Sequence, residues 1–138
     1  MSEKNKANAR RIIREIFNYE SVNNLGELIA EDVVIYDTDK ELHGLEQLRQ
    51  GITNLHVAFP DLHYTIDELL ADGDKVVARC RGTGTHKGPF RGVAATGKKM
   101  VYTVILIWRF SGDKMCEHWS VSDVFGILQQ LEVVQVRS

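Results

Sequence analysis

The sequence has few of the features that stabilise small secreted folds or anchor a protein in a membrane. It has only two cysteines, Cys80 and Cys116. Both lie in apolar, strand-like runs, so we interpret them as buried small side chains and not as a disulfide framework. The longest apolar run, residues 104–108, is far too short to span a membrane. Residues 1–9 are polar and lack the apolar segment of a signal peptide. We therefore expect a cytoplasmic protein without a membrane partner.

The sequence also has no excess of positive charge. Seventeen Lys and Arg residues face nineteen Asp and Glu residues, for a net charge of −2. Because binding to phosphates needs clustered Lys and Arg, we expect no nucleic-acid partner. The one basic cluster, Arg10, Arg11 and Arg14, shares its segment with Glu15 and Glu20. We interpret it as a solvated helix face.

Motifs for metals and nucleotide cofactors are missing as well. The five histidines form no His-x-His pair, no His-Glu-x-x-His motif and no Cys/His ligand spacing. The phosphate-binding loop and the Gly-x-Ser-x-Gly motif are absent. Gly82-Thr83-Gly84 is followed by a predicted strand end and a loop, whereas a dinucleotide fingerprint opens a helix. We expect neither a metal nor a cofactor.

The segments that are present predict an α+β domain. The length of 138 residues, with 43% hydrophobic and 26% charged residues, indicates a single domain over residues 1–138. Apolar residues recur at helical spacing over residues 9–17, 22–29 (with Ser21 as the N-cap) and 45–59. A short strand is predicted at residues 33–36 and a loop at 37–41.

From residue 62 the apolar period changes to two, which is typical of strands. Long strands are predicted over residues 62–70, 75–86, 100–110 and 115–122, with a Gly-rich loop at 87–99 and a closing helix near 124–131. In the first of these strands we expect Leu62, Tyr64, Ile66 and Leu70 to share one face. Helices followed by antiparallel strands favour helices packed on one face of a curved sheet.

The strand over residues 100–110 is apolar on both faces. One face carries Met100, Tyr102, Val104, Leu106, Trp108 and Phe110, and the other carries Val101, Ile105 and Ile107. An antiparallel strand with one solvated face should alternate cleanly, so both faces are expected to be covered. Helices can cover one of them. A second copy of the chain is the simplest cover for the other, which predicts a homodimer.

Two predicted strands carry ionisable residues next to small or apolar ones. Trp119 and Asp123 share a strand face by the period of two. On another strand the small residues Cys80, Gly82 and Gly84 share a face with His86, leaving room for a pocket with His86 at its rim. A carboxylate and an imidazole around an apolar cavity are the minimum for proton transfer at carbon. The alternatives are a helix cap for Asp123, core filling for Trp119 and an exposed loop edge for His86.

Several motifs together resemble a known family. Their order and spacing, from about Ala9 to Leu131, resemble the SnoaL-like polyketide cyclase family. The motifs are Phe59-Pro60-Asp61-Leu62, Asp72-Gly73-Asp74-Lys75-Val76-Val77-Ala78-Arg79, Gly82-Thr83-Gly84-Thr85-His86-Lys87-Gly88, Thr96-Gly97-Lys98, Glu117-His118-Trp119, Asp123 and Leu128-Gln129-Gln130-Leu131. The sequence departs from the family pattern at Ala95, where a Pro is usual, and at Glu132, where a Gly is usual.

The resemblance implies the cone fold of the nuclear-transport-factor-2-like superfamily, with a curved antiparallel sheet and N-terminal helices that close the wide mouth of an apolar pocket. It also implies a homodimer through the outer face of the sheet. Characterised family members close a polyketide ring by intramolecular aldol condensation without metal or cofactor. Their acid/base carboxylate corresponds to Asp123, and the histidine of their Gly-Thr-His-x-Gly element corresponds to His86.

These expectations combine into a mechanism for a small apolar carbonyl compound. Asp123 would remove a proton from a carbon next to a carbonyl, and His86 would hydrogen-bond the oxyanion that forms or return the proton to it. Trp119, Trp108, Tyr36 and Phe59 are the predicted pocket walls. The same fold hosts isomerases, hydrolases and non-catalytic binding proteins, so these remain alternatives, together with a purely structural dimerisation domain.

Overall fold

The computed structural model describes residues 2–19, 22–36 and 40–134. The helix α1 (Ser2–Ile12) continues into one π-helical turn (Ile13–Phe17), and a 3₁₀ turn (Val22–Asn24) leads into α2 (Leu25–Leu28). The other helices are α3 (Leu45–Ala58) and α4 (Val124–Gln130). The strands are β1 (Ile29–Tyr36), β2 (Glu41–His43), β3 (His63–Asp72), β4 (Lys75–Thr85), β5 (Lys99–Ser111) and β6 (Lys114–Ser122). The predicted N-cap Ser21 and residues 37–39 of the predicted loop lie outside the described residues.

The six strands form one sheet in the order β2-β1-β6-β5-β4-β3. The four long strands β3 to β6 pair antiparallel with one another, as predicted. β1 lies beside β6 and runs parallel to it, and β2 pairs antiparallel with β1 at the edge. The α+β class with a curved sheet is therefore confirmed. The parallel pair is possible because α3 and four strands separate β1 from β6 along the chain.

Two local predictions in the N-terminal half were wrong. Ile29 was expected at the end of the second helix, but its φ of −128° and ψ of 133° are extended, and it opens β1. Residue 41 was expected to belong to a loop, but Glu41–His43 forms β2, in which Leu42 pairs with Ile35. Three residues are too few to show an alternating pattern, so the sequence carried no signal for this strand.

A β-bulge changes the side-chain order of β3. The pairing with β4 shifts between Ile66 and Glu68, which adds one residue to β3. An extra residue moves every later side chain to the opposite face. Leu70, expected on the inner face with Tyr64, is instead 54% exposed, and Leu69 packs against the core in its place.

The core lies between the helices and one face of the sheet. All six residues predicted for one face of β5, from Met100 to Phe110, are buried there. Helices α1 and α3 contact this face from above, and α4 packs against β5. On the other face Val101 is 47% and Ile105 40% exposed, because no helix or strand among the described residues covers them. Among the described helices, none has the length and apolar character needed to cross a membrane.

Candidate active site

A cavity lies between α3 and the inner face of the sheet. It has a larger lobe of about 550 Å³ and a smaller lobe of about 200 Å³. The two lobes are adjacent, because both are lined by Gly51, Leu55, Tyr64 and Ser122. The larger lobe adds Asn54, Val57, Pro89, Phe90, Arg91, Tyr102, Val124 and Ile127. The smaller lobe adds Phe17, Ile35, Leu42, Gln47, Leu48, Ile52, Val104, Leu106, His118 and Ser120.

The lining is mainly apolar, with a few polar groups. No Asp or Glu of the described residues lines either lobe. Nor does the described part of the chain hold any group of three or more His, Cys, Asp or Glu side chains arranged to bind a metal ion. The polar groups of the lining are the imidazole of His118, the guanidinium of Arg91, the amides of Gln47 and Asn54, and the hydroxyls of Tyr64, Tyr102, Ser120 and Ser122.

The imidazole of His118 is held by the neighbouring strand. His118 pairs with Trp108 across β5 and β6, and the Trp108 Nε1–H donates a hydrogen bond of 2.7 Å to His118 Nδ1. Because an indole nitrogen only donates, Nδ1 carries no proton and the neutral ring carries its proton on Nε2. Burial lowers the pKa of His118 to about 4. At neutral pH this residue is therefore an uncharged hydrogen-bond donor.

A pair of tyrosines lines the larger lobe, and one of them, Tyr64, also lines the smaller lobe. The hydroxyls of Tyr64 and Tyr102 lie 2.8 Å apart. Burial raises the pKa of Tyr64 well above its usual value and that of Tyr102 to about 12, so both stay protonated at neutral pH. Only one of the two hydroxyl protons is used in the hydrogen bond between the tyrosines, so the other proton is available for a ligand.

Gly82 makes room for this tyrosine pair. A Cβ at residue 82 would lie 2.6 Å from Cε1 of Tyr102 and 2.9 Å from Cε1 of Tyr64. The small residues of β4 do leave space above the sheet, as expected. Aromatic rings from both neighbouring strands fill that space, so the cavity itself lies further along the sheet, toward β6.

Asp123 is the N-cap of α4. Its Oδ1 accepts a hydrogen bond of 2.9 Å from the backbone N–H of Gly126, and its side chain is exposed. Its chain neighbours Ser122 and Val124 both line the larger lobe, but Asp123 does not. The structure thus contains the helix cap that the sequence left open as an alternative. The catalytic role of Asp123 stays a prediction.

His86 is fully buried and does not lie at the rim of the cavity. The backbone N–H of Thr96 donates to its Nδ1 at 3.2 Å, and its ring packs against Phe59 at a centroid distance of 5.7 Å. The loop folds over it, because His86 and Lys98 are joined by a backbone hydrogen bond of 2.8 Å. In the described residues, Nε2 of His86 is the only fully buried side-chain nitrogen or oxygen without a hydrogen-bond partner.

Trp119 and Tyr36, two of the predicted pocket walls, lie on the outer face of the sheet. Trp119 pairs with Ile107, on the face of β5 opposite to the core. Its ring stacks on Tyr36 at 4.6 Å, and the Nζ of Lys75 lies 5.3 Å from the ring centroid. The prediction that these rings line the cavity is wrong, because side chains alternate between faces and the register places residue 119 outside.

The other two predicted wall residues lie behind the cavity lining. Trp108 is 1% exposed and supports His118, while Phe59 is 0% exposed and packs against Phe90, which lines the larger lobe. Sequence reasoning missed His118 as a site residue, although it lies in the Glu117-His118-Trp119 motif. The signal was the alternation along the strand, which places His118, Ser120 and Ser122 on one face and Trp119 on the other.

Solved structures show the same architecture. A SnoaL-like protein from Jannaschia sp. CCS1 superposes with a TM-score of 0.89 at 19% identity over 97% of this chain and 95% of that chain, which shows the shared fold. AclR from Streptomyces galilaeus, named as a candidate hydroxylase, gives a TM-score of 0.88 at 25% identity, covering 100% of this chain and 87% of that chain. IdmH from Streptomyces antibioticus, named as a candidate polyketide cyclase, gives 0.80 at 29% identity, covering 93% and 98%.

The curved sheet, the helices over its inner face and the apolar cavity between them define an α+β cone of the nuclear-transport-factor-2-like kind. The sequence pattern of the SnoaL-like polyketide cyclases matches residues 7–131. The chain belongs to this family. A comparison with curated protein sequences gives no match.

Proposed function

We propose that this family member catalyses acid/base carbon chemistry of the intramolecular aldol type, without a cofactor, on a small apolar carbonyl compound. The observation that carries the proposal is the cavity itself. Its walls are largely aliphatic and aromatic, and the one charged lining group among the described residues is the Arg91 guanidinium, in the larger lobe. Its polar groups include three neutral donors, the His118 imidazole and the Tyr64 and Tyr102 hydroxyls. Such donors in a site with little water stabilise an oxyanion strongly and bind a carbonyl oxygen before it forms.

Asp123 is the proposed base. In this structure its carboxylate holds the Gly126 N–H, one residue from two cavity-lining positions, Ser122 and Val124. To reach a substrate the carboxylate has to leave this cap, which costs the first turn of α4 one hydrogen bond. We propose that a bound substrate draws the carboxylate toward the larger lobe. Removing a proton from carbon then gives an enolate that attacks a second carbonyl of the same molecule.

Solvent exchange of the α-protons of an enolisable ketone tests the proposed activity without knowledge of the natural substrate. β-Tetralone is a suitable probe, because it is small and apolar and its C1 protons, which are benzylic and next to the carbonyl, are readily enolisable. The protein should accelerate deuterium incorporation, followed by NMR, in a manner that saturates with probe concentration. An exchange rate equal to that of buffer, for this probe and for a panel of enolisable polyketones, would overturn the proposal.

Gly51 offers a matched pair of variants for this assay. It lines both lobes, and a Cβ built there meets nothing within 4 Å. Gly51→Phe should fill the junction of the lobes and reduce exchange roughly tenfold or more, equivalent to about 1.4 kcal/mol. Gly51→Ala should leave it unchanged. Ser122→Phe blocks the same junction from the sheet side and should reproduce the loss.

The role of Asp123 is tested separately. Asp123→Asn and Asp123→Ser both keep an N-cap oxygen but remove the base, so they should leave the melting temperature nearly unchanged. We expect exchange to fall by about 10²–10⁴, the usual contribution of general acid–base catalysis. Full activity in both variants would show that another group, or water, is the base.

A second candidate function is a non-catalytic binding protein for a small hydrophobic ligand. One observation favours it: no carboxylate of the described residues lines the cavity. The two candidates differ in the wild-type protein, because a binding protein would bind β-tetralone saturably without accelerating its exchange. An isomerase or hydrolase would use the same cavity and would be recognised by its product.

We also propose that the chain forms a homodimer through the outer face of the sheet. The exposed Val101, Ile105 and Val121 form an apolar patch there, bordered by the ion pair of Arg109 with Glu117. Sedimentation at micromolar concentration should give twice the 15.6 kDa of one chain. Ile105→Glu should give the monomer, whereas Val133→Glu, at an exposed residue outside the sheet, should not. A monomeric wild type would refute the dimer.

A further inference from the structure

The smaller lobe of the cavity has no charged lining residue. Its polar lining groups are the Gln47 amide, the hydroxyls of Tyr64, Ser120 and Ser122, and the His118 imidazole. A carboxylate or a phosphate placed there would lose its hydration without gaining a counter-charge, which is costly. A neutral carbonyl oxygen needs only hydrogen-bond donors. The lobe therefore suits the carbonyl end of an apolar molecule.

Within this lobe His118 has a free donor. Among the described residues, the only side-chain hydrogen bond of His118 is the one that Nδ1 accepts from Trp108. The only fully buried side-chain nitrogen or oxygen without a partner in this part of the chain is Nε2 of His86. Nε2 of His118 thus has no hydrogen-bond partner in the described structure, yet it is not fully buried and faces open space. The open space that His118 lines is the smaller lobe.

Trp108 fixes both the orientation and the tautomer of this ring. It is 1% exposed and stacks on Phe17 at a centroid distance of 5.9 Å, so its indole cannot turn away from His118 without opening the core. The N–H that it donates to Nδ1 excludes the other neutral tautomer. A donor fixed in this way needs no reorganisation when negative charge develops on a bound oxygen.

We propose that His118 is a catalytic residue whose Nε2–H donates a hydrogen bond to the substrate carbonyl oxygen, and that Trp108 is its positioning residue. This assigns to His118 the oxyanion-binding role that the sequence suggested for His86, which the loop seals away from the cavity. It also defines the substrate class at this end as a neutral carbonyl. The inference rests on the proposed function and specifies where the oxygen lies.

The bond changes balance without a further reactant. The base takes the α-proton, the C–H pair becomes the C=C bond of the enolate, and the carbonyl π pair moves to the oxygen held by His118. The enolate carbon then bonds to the second carbonyl carbon and the first C=O forms again. The second oxygen takes the proton back from the base. His118 neither gains nor loses a proton in this sequence.

Variants of His118 test the catalytic part. His118→Phe removes the donor, and kcat for exchange should fall by about 10²–10³, the usual cost of losing one oxyanion donor. His118→Gln can still donate through its amide and should lose much less. Trp108→Phe should lower kcat more than it raises KM, because the imidazole of His118 remains present but its tautomer is no longer fixed. Equal losses in His118→Gln and His118→Phe, or full activity in His118→Phe, would overturn the proposal.

The tautomer is measured by nitrogen NMR of the folded protein, independently of activity. We expect a proton on Nε2 and none on Nδ1 at neutral pH, and a shift of the Nε2–H signal when β-tetralone saturates the cavity. In Trp108→Phe both tautomers should be populated. A proton on Nδ1 in the wild type, or an Nε2–H signal that saturating probe does not move, would refute this inference. An exchange assay without acceleration, with the NMR result as expected, would instead refute only the proposed activity.

Discussion

The two faces of β6 differ in what their side chains can do. His118, Ser120 and Ser122 face inward and line the cavity. Glu117, Trp119 and Val121 alternate with them and face away from the core, among ion pairs and exposed apolar side chains. A shift of one residue along a single strand thus separates groups able to meet a substrate from groups able to meet another protein.

The same contrast holds for the neighbouring strand β5. Its inner face is buried throughout, and its outer face leaves apolar side chains exposed in the single chain. Apolar character alone therefore does not distinguish the two faces of this sheet. Only the pairing register and the helices on one side do, and substitutions of adjacent residues can measure the difference.

The largest expected effect compares two neighbours on β5. Leu106 is 2% exposed and Ile105 is 40% exposed. Leu106→Ala should reduce the free energy of unfolding by about 2–5 kcal/mol, as is usual for buried Leu. Ile105→Ala, measured at a concentration too low for association, should cost less than about 1 kcal/mol. Urea unfolding gives both values, and similar losses in the two variants would mean that both faces are covered within one chain.

The second prediction concerns the pH dependence of stability that His118 creates. Its pKa in the folded protein, about 4, lies below its ordinary value of 6.5. Between these values the unfolded chain binds a proton that the folded protein excludes, so stability falls as pH decreases from about 6.5 to about 4. The total is about 3 kcal/mol, from roughly 1.4 kcal/mol per unit.

The control for this titration is His118→Gln, in which the carboxylates are unchanged. The difference between its unfolding free energy and that of the wild type should change with pH only in this window. Parallel curves for the two proteins between pH 4 and 6.5 would show that His118 titrates normally and is not buried as described.

The smallest expected effect compares two glycines on opposite sides of the cavity. Gly82→Ala would bring a Cβ against the rings of Tyr102 and Tyr64, and should cost about 1–3 kcal/mol, as overpacking usually does. Gly51→Ala meets open space within α3 and should gain about 0.5–1 kcal/mol, because Ala loses less conformational entropy in a helix. Thermal unfolding of both variants checks the signs, and a stable Gly82→Ala would contradict the close packing of the tyrosine pair.

Much of the fold could be predicted from the sequence because its long elements carry strong periodic patterns. The alternation over Met100 to Phe110 and the helical spacing over residues 45–59 both predicted elements that the structure contains. Predictions were wrong where the signal was short or local. Strand β2 has only three residues and so shows no hydrophobic period. The bulge in β3, which exposes Leu70, cannot be recognised from the hydrophobic pattern.

The site was harder to predict because it depends on which face of each strand a residue lies on, and on the register in which the strands pair. The period of two predicted a shared face for Trp119 and Asp123, but it could not say which face meets the helices. That is decided by the pairing of Trp108 with His118 and of Ile107 with Trp119. The burial of His86 depends on a loop that folds back through the hydrogen bonds of Thr96 and Lys98, which spacing alone does not predict.

The most direct test of the account is a map of where an apolar ketone binds, using isoleucine methyl groups as reporters in NMR. Ile35 and Ile52 line the smaller lobe and Ile127 the larger, whereas Ile105 lies on the outer face. Titration with β-tetralone should shift the methyl signals of the three cavity residues along one saturable curve and leave Ile105 unmoved. Shifts confined to Ile105, with unchanged cavity signals, would contradict the central claim that the cavity on the inner face of the sheet is the site of function.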